Sequence, residues 1–362
     1  MNYHDFIAEP GEIRTEKWQL GSLFQKEFVQ GGIALLFVSD YRGAGCKAFA
    51  RDFHFLRKEL FSLSVHDFQV PMYDFGDLIS GKSSEDTSYV LQEVLSACHY
   101  KKTIPIVVGG SSDLSYSLYS ALDFHQKEIS YTQISNYISI QNEEDSLNER
   151  NFLGRIFASK HFEIKNYTHL GYQKHLSRLD SVKLLKEVDF QGVRLAEMMK
   201  GMDSIEPYLR RSDLVTLNCD AVESFSTPFS IHPQVNGLNR REVCALMKEV
   251  GLSQNLKSVG LFNLELDSQN ELNLQLAAQM IWYLIEGINI QYSHPKSRSY
   301  ETFWVLTPQG EYAFHRETFS SLWYFGNAPE MQNNLACSQQ DYELAKRGEL
   351  SPRLVRFLNE LT

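Results

Sequence analysis

Short apolar runs rich in β-branched residues recur along the chain and alternate with amphipathic stretches of helical period. Several runs are apolar on both faces, which is typical of strands buried between two layers of helices. The predicted strands are Ile33–Val38, Phe68–Tyr73, Ile104–Val108, Tyr137–Ile140, Thr168–Gly171, Leu214–Cys219 and Ser258–Leu264. The predicted helices are Ala48–Leu63, Ser88–Tyr100, Leu114–Phe124, Ser177–Lys186, Arg240–Val250 and Gln275–Ile288. This alternation predicts an α/β fold with a mostly parallel sheet and helices on both sides.

The pattern changes after Ile290, where aromatic residues become frequent and a short helical pattern follows at Ser351–Leu361. We therefore predict an α/β domain over residues 1–292. Residues 293–362 are predicted to form an aromatic-rich C-terminal extension that packs on this domain.

Composition excludes several classes of protein. The 362 residues are 43% hydrophobic and 22% charged, with a formal net charge of -10, so a soluble globular protein is expected and a nucleic-acid partner is not. The five cysteines are scattered and none forms a C-x-x-C pair, which is typical of a reduced chain without a disulfide framework. No export signal or bilayer-length apolar run is present, so we predict a cytoplasmic protein without a membrane partner.

Candidate chemistry is sought at the carboxyl ends of the strands, where binding sites of parallel sheets lie. Gly43–Ala48 has the G-x-G-x-x-A spacing of a dinucleotide-binding loop. Its first glycine lies five residues beyond Val38, whereas a true fingerprint follows its strand almost directly. The pattern therefore favours a flexible loop, and a nucleotide-binding protein is kept as a third alternative.

A second glycine pair, Gly109-Gly110, follows the predicted strand Ile104–Val108. Paired glycines allow a sharp turn that exposes the next side chains. Ser112 or Asp113 is also suited to cap the helix that follows. The chain has no G-x-S-x-G motif, so a hydrolase nucleophile elbow is not indicated.

Acidic residues follow three predicted strands, in the segments Ile138–Asp145, Leu217–Asp220 and Gly260–Asp267. Each segment alone could be a solvated loop. Three such segments at one sheet edge would gather the carboxylates that a hard metal ion requires.

Taken in order, these segments resemble the ureohydrolase family of arginase, agmatinase and formimidoylglutamase, and formimidoylglutamase is the branch they resemble most. Gly109-Gly110 is similar to the glycine pair before a metal-binding His, and Ile140–Asp145 stands where the family has Asp-Ala-His-x-Asp. Asn218-Cys219-Asp220 stands in place of Asp-x-Asp, and Gly237–Glu242 is similar to Gly-Leu-Thr-x-Arg-Glu. The resemblance implies a three-layer α/β/α fold with about eight strands in its sheet.

The family is known for two Mn²⁺ ions held by two His and four Asp side chains. Carried onto this chain, the resemblance places the six ligand positions at Ser112, Gln141, Glu143, Asp145, Asn218 and Asp220. Only Asp145 and Asp220 match the family pattern. Glu265 matches the acidic residue that contacts the guanidino or formimino group of the substrate.

Electrostatics argues against a metal pair at these positions. Two divalent ions bring four positive charges to within about 4 Å of one another, and bridging carboxylates normally offset their repulsion. This set offers three carboxylates at most, so no cofactor is expected in place of the family's two Mn²⁺. One hard divalent cation on Glu143, Asp145 and Asp220 is the alternative.

We therefore interpret the chain as a formimidoylglutamase-like protein that has lost its binuclear Mn centre and its hydrolase activity. The pocket formed by the six positions and Glu265 would be vestigial. An active C–N hydrolase of formimino or guanidino compounds with one remodelled metal site is the alternative. A small-molecule ligand and homo-oligomerisation are expected as partnerships.

Overall fold

The structure is a computed structural model. It describes residues 3–28, 30–47, 52–141, 146–159, 164–188, 190–224, 227–266 and 270–360. No helix in these ranges is long and apolar enough to cross a membrane.

The described part of the chain contains a sheet of ten strands, parallel except where its first strand joins. Its strands are β1 (Ile7–Ala8), β2 (Phe24–Gln25), β3 (Ile33–Val38), β4 (Met72–Leu78), β5 (Ile104–Val108), β6 (Ile129–Ile134), β7 (Ile164–Tyr172), β8 (Gln191–Arg194), β9 (Leu214–Asn218) and β10 (Ser258–Phe262). The spatial order is β1, β4, β3, β5, β10, β9, β6, β7, β8, and β2 pairs with β4. The predicted α/β fold with a mostly parallel sheet is confirmed.

Helices cover both faces of this sheet. They are α1 (His54–Ser62), α2 (Ser84–Tyr100), α3 (Ser115–Asp123), α4 (Phe152–Phe157), α5 (Leu179–Glu187), α6 (Leu195–Met198), α7 (Glu206–Leu209), α8 (Arg240–Gly251) and α9 (Glu271–Tyr292). One hydrophobic core lies between the sheet and α1, α8 and α9, and a second lies between the opposite face and α2, α3 and α4. The three layers α/β/α follow from these two cores.

Close packing between α8 and α9 depends on glycine. A Cβ atom on Gly251 would lie 2.3 Å from the carbonyl oxygen of Leu284, and one on Gly287 would lie 2.3 Å from that of Lys248. The two backbones can therefore approach only because neither position carries a side chain.

The predicted strand Tyr137–Ile140 is wrong, because the strand in this part of the chain is β6, Ile129–Ile134. Its sequence is polar at several buried positions, so it does not read as an apolar run. The polar side chains have partners in the sheet: Tyr131 contacts the Thr216 hydroxyl at 2.7 Å, and Gln133 accepts a hydrogen bond from Tyr167 at 2.7 Å. Internal hydrogen bonds of this kind allow a polar strand to be buried.

The second predicted strand, Phe68–Tyr73, is also displaced, because β4 runs over Met72–Leu78. The other five strand predictions overlap the observed strands, and Ile33–Val38 and Ile104–Val108 agree at both ends.

Residues after α9 form a second, antiparallel sheet with two helices. The elements are β11 (Tyr300–Thr307), β12 (Gly310–Glu317), β13 (Trp323–Phe325), β14 (Leu335–Cys337), α10 (Gln339–Lys346) and α11 (Pro352–Glu360). Phe314, Trp323 and Phe325 belong to a separate small core. The division of the chain at residue 292 stays a prediction.

The second sheet is joined to the first by a buried arginine. Arg210, 1% exposed, follows α7 and donates hydrogen bonds to the carbonyl oxygens of Trp323 and Cys337. Its Nε donates to the Glu206 carboxylate at 2.8 Å, which balances the buried charge. A side chain that satisfies two strand-end carbonyls and one carboxylate fixes how the two sheets pack.

We predict that Arg210→Ala lowers the free energy of unfolding by about 3–5 kcal/mol, because it leaves Glu206 and two carbonyl groups without their partner. Arg356→Ala is the matched control. Arg356 pairs with Glu360 on exposed helix surface, and its removal should cost no more than about 1 kcal/mol. Urea unfolding of the two variants tests this, and equal losses would contradict it.

Candidate active site

Four neighbouring strands bring polar residues together at one edge of the first sheet. β5, β10, β9 and β6 are adjacent and parallel, so their carboxyl ends meet. The pairing of Ile134 with Leu217 places Ser135 beside Asn218, the last residue of β9. Asn263 follows β10 directly, and its backbone N–H donates to the Gly110 carbonyl at 2.8 Å.

Asn263 connects the groups at this edge. It is fully buried and has a left-handed backbone conformation (φ 59°), which asparagine adopts more readily than most residues. Its side-chain oxygen accepts the Ser112 N–H at 3.0 Å. Its Nδ2 donates to both Glu149 Oε2, at 3.0 Å, and Asp220 Oδ2, at 2.9 Å. One amide thus links three segments of the chain.

Asp220 lies just beyond the end of β9 and is 1% exposed. Its Oδ1 accepts the backbone N–H of His232 at 3.3 Å. Burial raises the pKa of Asp220 to about 6, although the hydrogen bond from Asn263 and the charge of His232 act in the opposite direction.

Glu149 enters the site from the loop before α4. Its Oε1 lies 3.2 Å from His232 Nε2 and 3.2 Å from Arg150 Nε. Burial alone would raise the pKa of Glu149, but the contact with His232 and the charges of His232 and Arg150 lower it below its ordinary value. The same contact with Glu149 raises the pKa of His232 against the effect of burial. Two carboxylates therefore face two basic side chains.

Tyr137 lies against this cluster from the segment after β6. Its hydroxyl donates to the Glu149 carbonyl at 3.4 Å and lies 3.5 Å from the Asn218 amide nitrogen. The Arg150 guanidinium lies over its ring, 4.0 Å from the centroid. The Tyr137 side chain therefore lies between the backbone of Glu149 and the side chain of Asn218.

The described part of the Gly43–Ala48 loop, which ends at Lys47, does not have the geometry of a dinucleotide site, and Ala48 lies outside the described residues. α1 begins only at His54, so within the described residues no helix N-terminus follows the glycines. Gly43 instead lies against Asp113, because a Cβ atom there would be 2.0 Å from Asp113 Oδ1. Burial raises the pKa of Asp113 to about 7. Gly43 therefore makes room for a buried carboxyl group, whereas a Cβ atom on Gly45 would meet no other atom within 4 Å.

The structure brings together only some of the predicted site residues. Ser112, Asn218 and Asp220 lie around Asn263. Gln141 lines a separate cavity of about 400 Å³ beside α5. Glu265 is half-buried beyond β10 and is not among the groups whose ligand atoms cluster. Glu143 and Asp145 lie outside the described residues.

The observed β6 also changes the placement of one motif. An Asp-Ala-His-x-Asp motif that begins directly after Ile134 falls on Ser135–Ser139, six residues before the predicted position. Its three ligand positions are then Ser135, Tyr137 and Ser139, and no carboxylate or imidazole is present at any of them. The positions Gln141, Glu143 and Asp145 stay a prediction, and this second placement is an alternative to them.

The described residues at this edge offer few ligands for metal ions. With the motif placed directly after β6, Asp220 is the only carboxylate among the six positions, whereas the predicted placement also includes Glu143 and Asp145. Among the described residues, one group of possible ligands is compact: an oxygen or nitrogen from each of Glu149, Asp220 and His232 lies within 4.8 Å of the others. That set suits one ion at most.

Glu149, His232, Asn263 and Tyr137 are site residues that the sequence analysis did not identify. Glu149 and His232 lie in loops, where no periodic pattern of apolar residues predicts the path of the chain. The sequence does indicate Asn263, because this residue directly follows the apolar strand β10. Tyr137 lies three residues beyond the end of β6, a strand whose polar residues do not form an apolar run.

Comparison with known proteins gives consistent results. A model of the arginase family matches residues 44–286. A Trypanosoma cruzi formiminoglutamase structure with Mn²⁺ is similar at a TM-score of 0.68 and 17% identity, over 76% of this chain and 99% of that one. Formimidoylglutamase from Bacillus subtilis matches at 0.65 and 16%, over 80% and 98%. Arginase from Bacillus subtilis matches at 0.59 and 17%, over 70% and 98%. The search of curated proteins gives no match.

These comparisons correct one expectation. The chain was expected to have no cofactor, but a similar structure, the Trypanosoma cruzi formiminoglutamase, contains manganese. The expectation of no cofactor is contradicted by this finding.

We predict that Asn263→Gly destabilises the protein by about 1–3 kcal/mol for each buried group that loses its partner. Glycine adopts the left-handed backbone conformation without strain, so the loss of stability comes from the missing side-chain amide. Asn263→Ala should be less stable still, by about 1–2 kcal/mol, because alanine is strained at this φ. Urea unfolding measures both, and a glycine variant as stable as the parent would contradict the role of the amide.

A second prediction concerns pH. The pKa of His232 is raised in the folded state, and below it the protonated imidazole stabilises the charged Glu149, whose own pKa is lowered. As pH rises through the folded-state pKa of His232, the imidazole loses its charge and this contribution to stability disappears. The melting temperature lost in His232→Gln should therefore be larger at about pH 6 than at about pH 9. The exposed His125→Gln is the control. A loss independent of pH would show that the ion pair does not contribute.

Proposed function

This chain belongs to the arginase family, and from that premise we propose that it is a formimidoylglutamase-like member that has lost two-metal C–N hydrolysis and binds a small ligand. The observation that carries the proposal is the donor set at the carboxyl ends of β5, β6 and β9. If the acidic motif follows β6 directly, Asp220 alone among the six ligand positions is a carboxylate.

The charge balance of the site supports this proposal. Glu149 and Asp220 carry the negative charge, and His232 and Arg150 lie where they offset it. A second divalent ion would add positive charge, and the compact ligand cluster holds only these two carboxylates to compensate it. Without two ions, the site lacks the bridged water that a binuclear centre supplies as nucleophile.

A ligand site is supported by the cavity beside α5. It has a volume of about 400 Å³, which is the size of small-molecule sites. Its lining combines Arg178 and Lys183 with Asp180 and Glu187. Side chains of both signs suit a small ligand that carries both charges.

An active hydrolase with one metal ion is the second candidate, and the compact trio of Glu149, Asp220 and His232 favours it. It requires metal-dependent release of product that is lost in Asp220→Ala. This differs from the first proposal, which expects no release with any metal.

We predict that the protein incubated with excess Mn²⁺ binds fewer than two equivalents per chain. It should release neither formamide from formimino compounds nor urea from guanidino compounds, because the second ion has no ligands. A formimidoylglutamase assayed in parallel serves as the positive control. Two bound equivalents, or turnover above that of a metal-free blank, would overturn the proposal.

A further inference from the structure

The second sheet has one long strand at its edge. In the described part of the chain, β11 is an end strand of this sheet, and its eight residues pair with β12 on one side only. The other end strands of the two sheets are shorter: β1 has two residues, β14 has three and β8 has four. β11 also lies after residue 286, where the match to the arginase family ends. Its edge is therefore specific to the part of the chain beyond that match.

The ladder between β11 and β12 determines which backbone groups of β11 face outward. The two strands pair without a register shift over all eight residues of β11, and Tyr300 lies opposite Glu317. One step before this pair, the Thr318 N–H donates directly to the Ser299 carbonyl at 3.0 Å. Directly bonded pairs alternate along an antiparallel ladder, so the odd-numbered residues of β11 bond to β12. The N–H and C=O groups of the even-numbered residues therefore point to the outer edge.

These outward backbone groups are unpaired within the ranges that the structure describes. They belong to Tyr300, Thr302, Trp304 and Leu306, and no hydrogen bond from another described residue reaches them. Natural sheets usually protect such an edge with a lysine, a proline, a bulge or a covering segment. β11 contains no lysine or proline, and its ladder has no bulge. Its edge can therefore accept another strand.

Two large apolar side chains lie beside this edge. Trp304 is 60% exposed and Leu306 is 79% exposed. Because they are two residues apart in a strand, they project from the same face of the sheet. The opposite face is covered by α10, since the Phe303 ring packs against the ring of Tyr342 with 5.6 Å between centroids. Exposed apolar side chains next to unpaired backbone groups indicate a surface for association with another chain.

We propose that β11 pairs with β11 of a second copy of this chain, antiparallel and about a two-fold axis. The two four-stranded sheets then form one sheet of eight strands. Facing residues in an antiparallel pair share a face and a bonding direction, so each even-numbered residue pairs with an even-numbered one. An axis at Trp304 places the two indoles opposite each other and Thr302 opposite the partner subunit's Leu306.

The charge of β11 favours a second copy in this orientation. Glu301 is the one charged residue of β11, and it already forms an ion pair with Arg316 of β12. In the antiparallel arrangement Glu301 lies opposite the partner subunit's Thr307, and the two Glu301 side chains lie at opposite ends of the paired segment. A parallel arrangement would bring these like charges together, which is unfavourable.

The available area indicates a weak dimer. The contact covers one strand edge and two exposed apolar side chains in each copy. This falls below the roughly 1,200 Å² of total area at which stable specific interfaces begin. We therefore expect dimers that form reversibly at micromolar concentrations. The inference is independent of the proposed function, because β11 belongs to the second sheet and the candidate active site to the first.

Sedimentation equilibrium of the full chain across the micromolar range tests the proposal, and a reversible monomer–dimer equilibrium is expected. Trp304→Lys and Leu306→Lys should each raise the dissociation constant by at least about tenfold, because a lysine protects a strand edge from pairing. Phe124→Lys is the matched control. It introduces the same charge at a side chain that is 83% exposed and lies on α3's C-terminal side, so dimerisation should be unchanged.

Amide hydrogen exchange of the parent chain gives a second readout that requires no variant. The odd-numbered amides of β11 should be protected at every concentration, because they bond to β12. The amides of Thr302, Trp304 and Leu306 should become protected only where the dimer forms.

Three results would overturn the proposal. They are a chain that stays monomeric throughout the micromolar range, a dimer that both lysine variants keep, and a dimer in which the even-numbered amides of β11 stay unprotected. Circular dichroism checks that each variant is folded. None of these results would affect the proposed function.

Discussion

The amide of Asn263 is the constraint on which the site depends. It occupies the junction where β5, β9 and β10 end, and it joins Ser112, Glu149 and Asp220 by hydrogen bonds of 2.9–3.0 Å. A neutral amide that donates to two carboxylates holds them close to each other. Because this residue is fully buried and has a left-handed backbone, few side chains could replace it.

The fold and the chemistry can therefore be separated. The parallel sheet still converges at one edge, as the arginase family fold requires, and this edge still gathers polar groups. Two basic side chains also lie at this edge. Here His232 and Arg150 approach Glu149, and a structure of the Trypanosoma cruzi formiminoglutamase, which is similar in fold, contains Mn²⁺. A fold alone does not imply an activity, and the residues at the edge decide what it can do.

Strands could be predicted from the sequence only where the side chains that they bury are apolar. β3 and β5 are apolar throughout, so Ile33–Val38 and Ile104–Val108 could be predicted at both ends. β6 satisfies its polar side chains inside the sheet, so a search for apolar runs does not find this strand. Asp220 was found because it follows its strand directly. Glu149 and His232 were not, because loops bring them to the site from distant parts of the chain.

The most direct measurement is anomalous diffraction from crystals soaked in Mn²⁺, with data collected at the manganese edge. The account requires no more than one peak at the carboxyl edge of the sheet, lying among Glu149, Asp220 and His232. Two adjacent peaks beside Asp220 would contradict it, because they would show that hydroxyl and amide groups can hold a metal pair there.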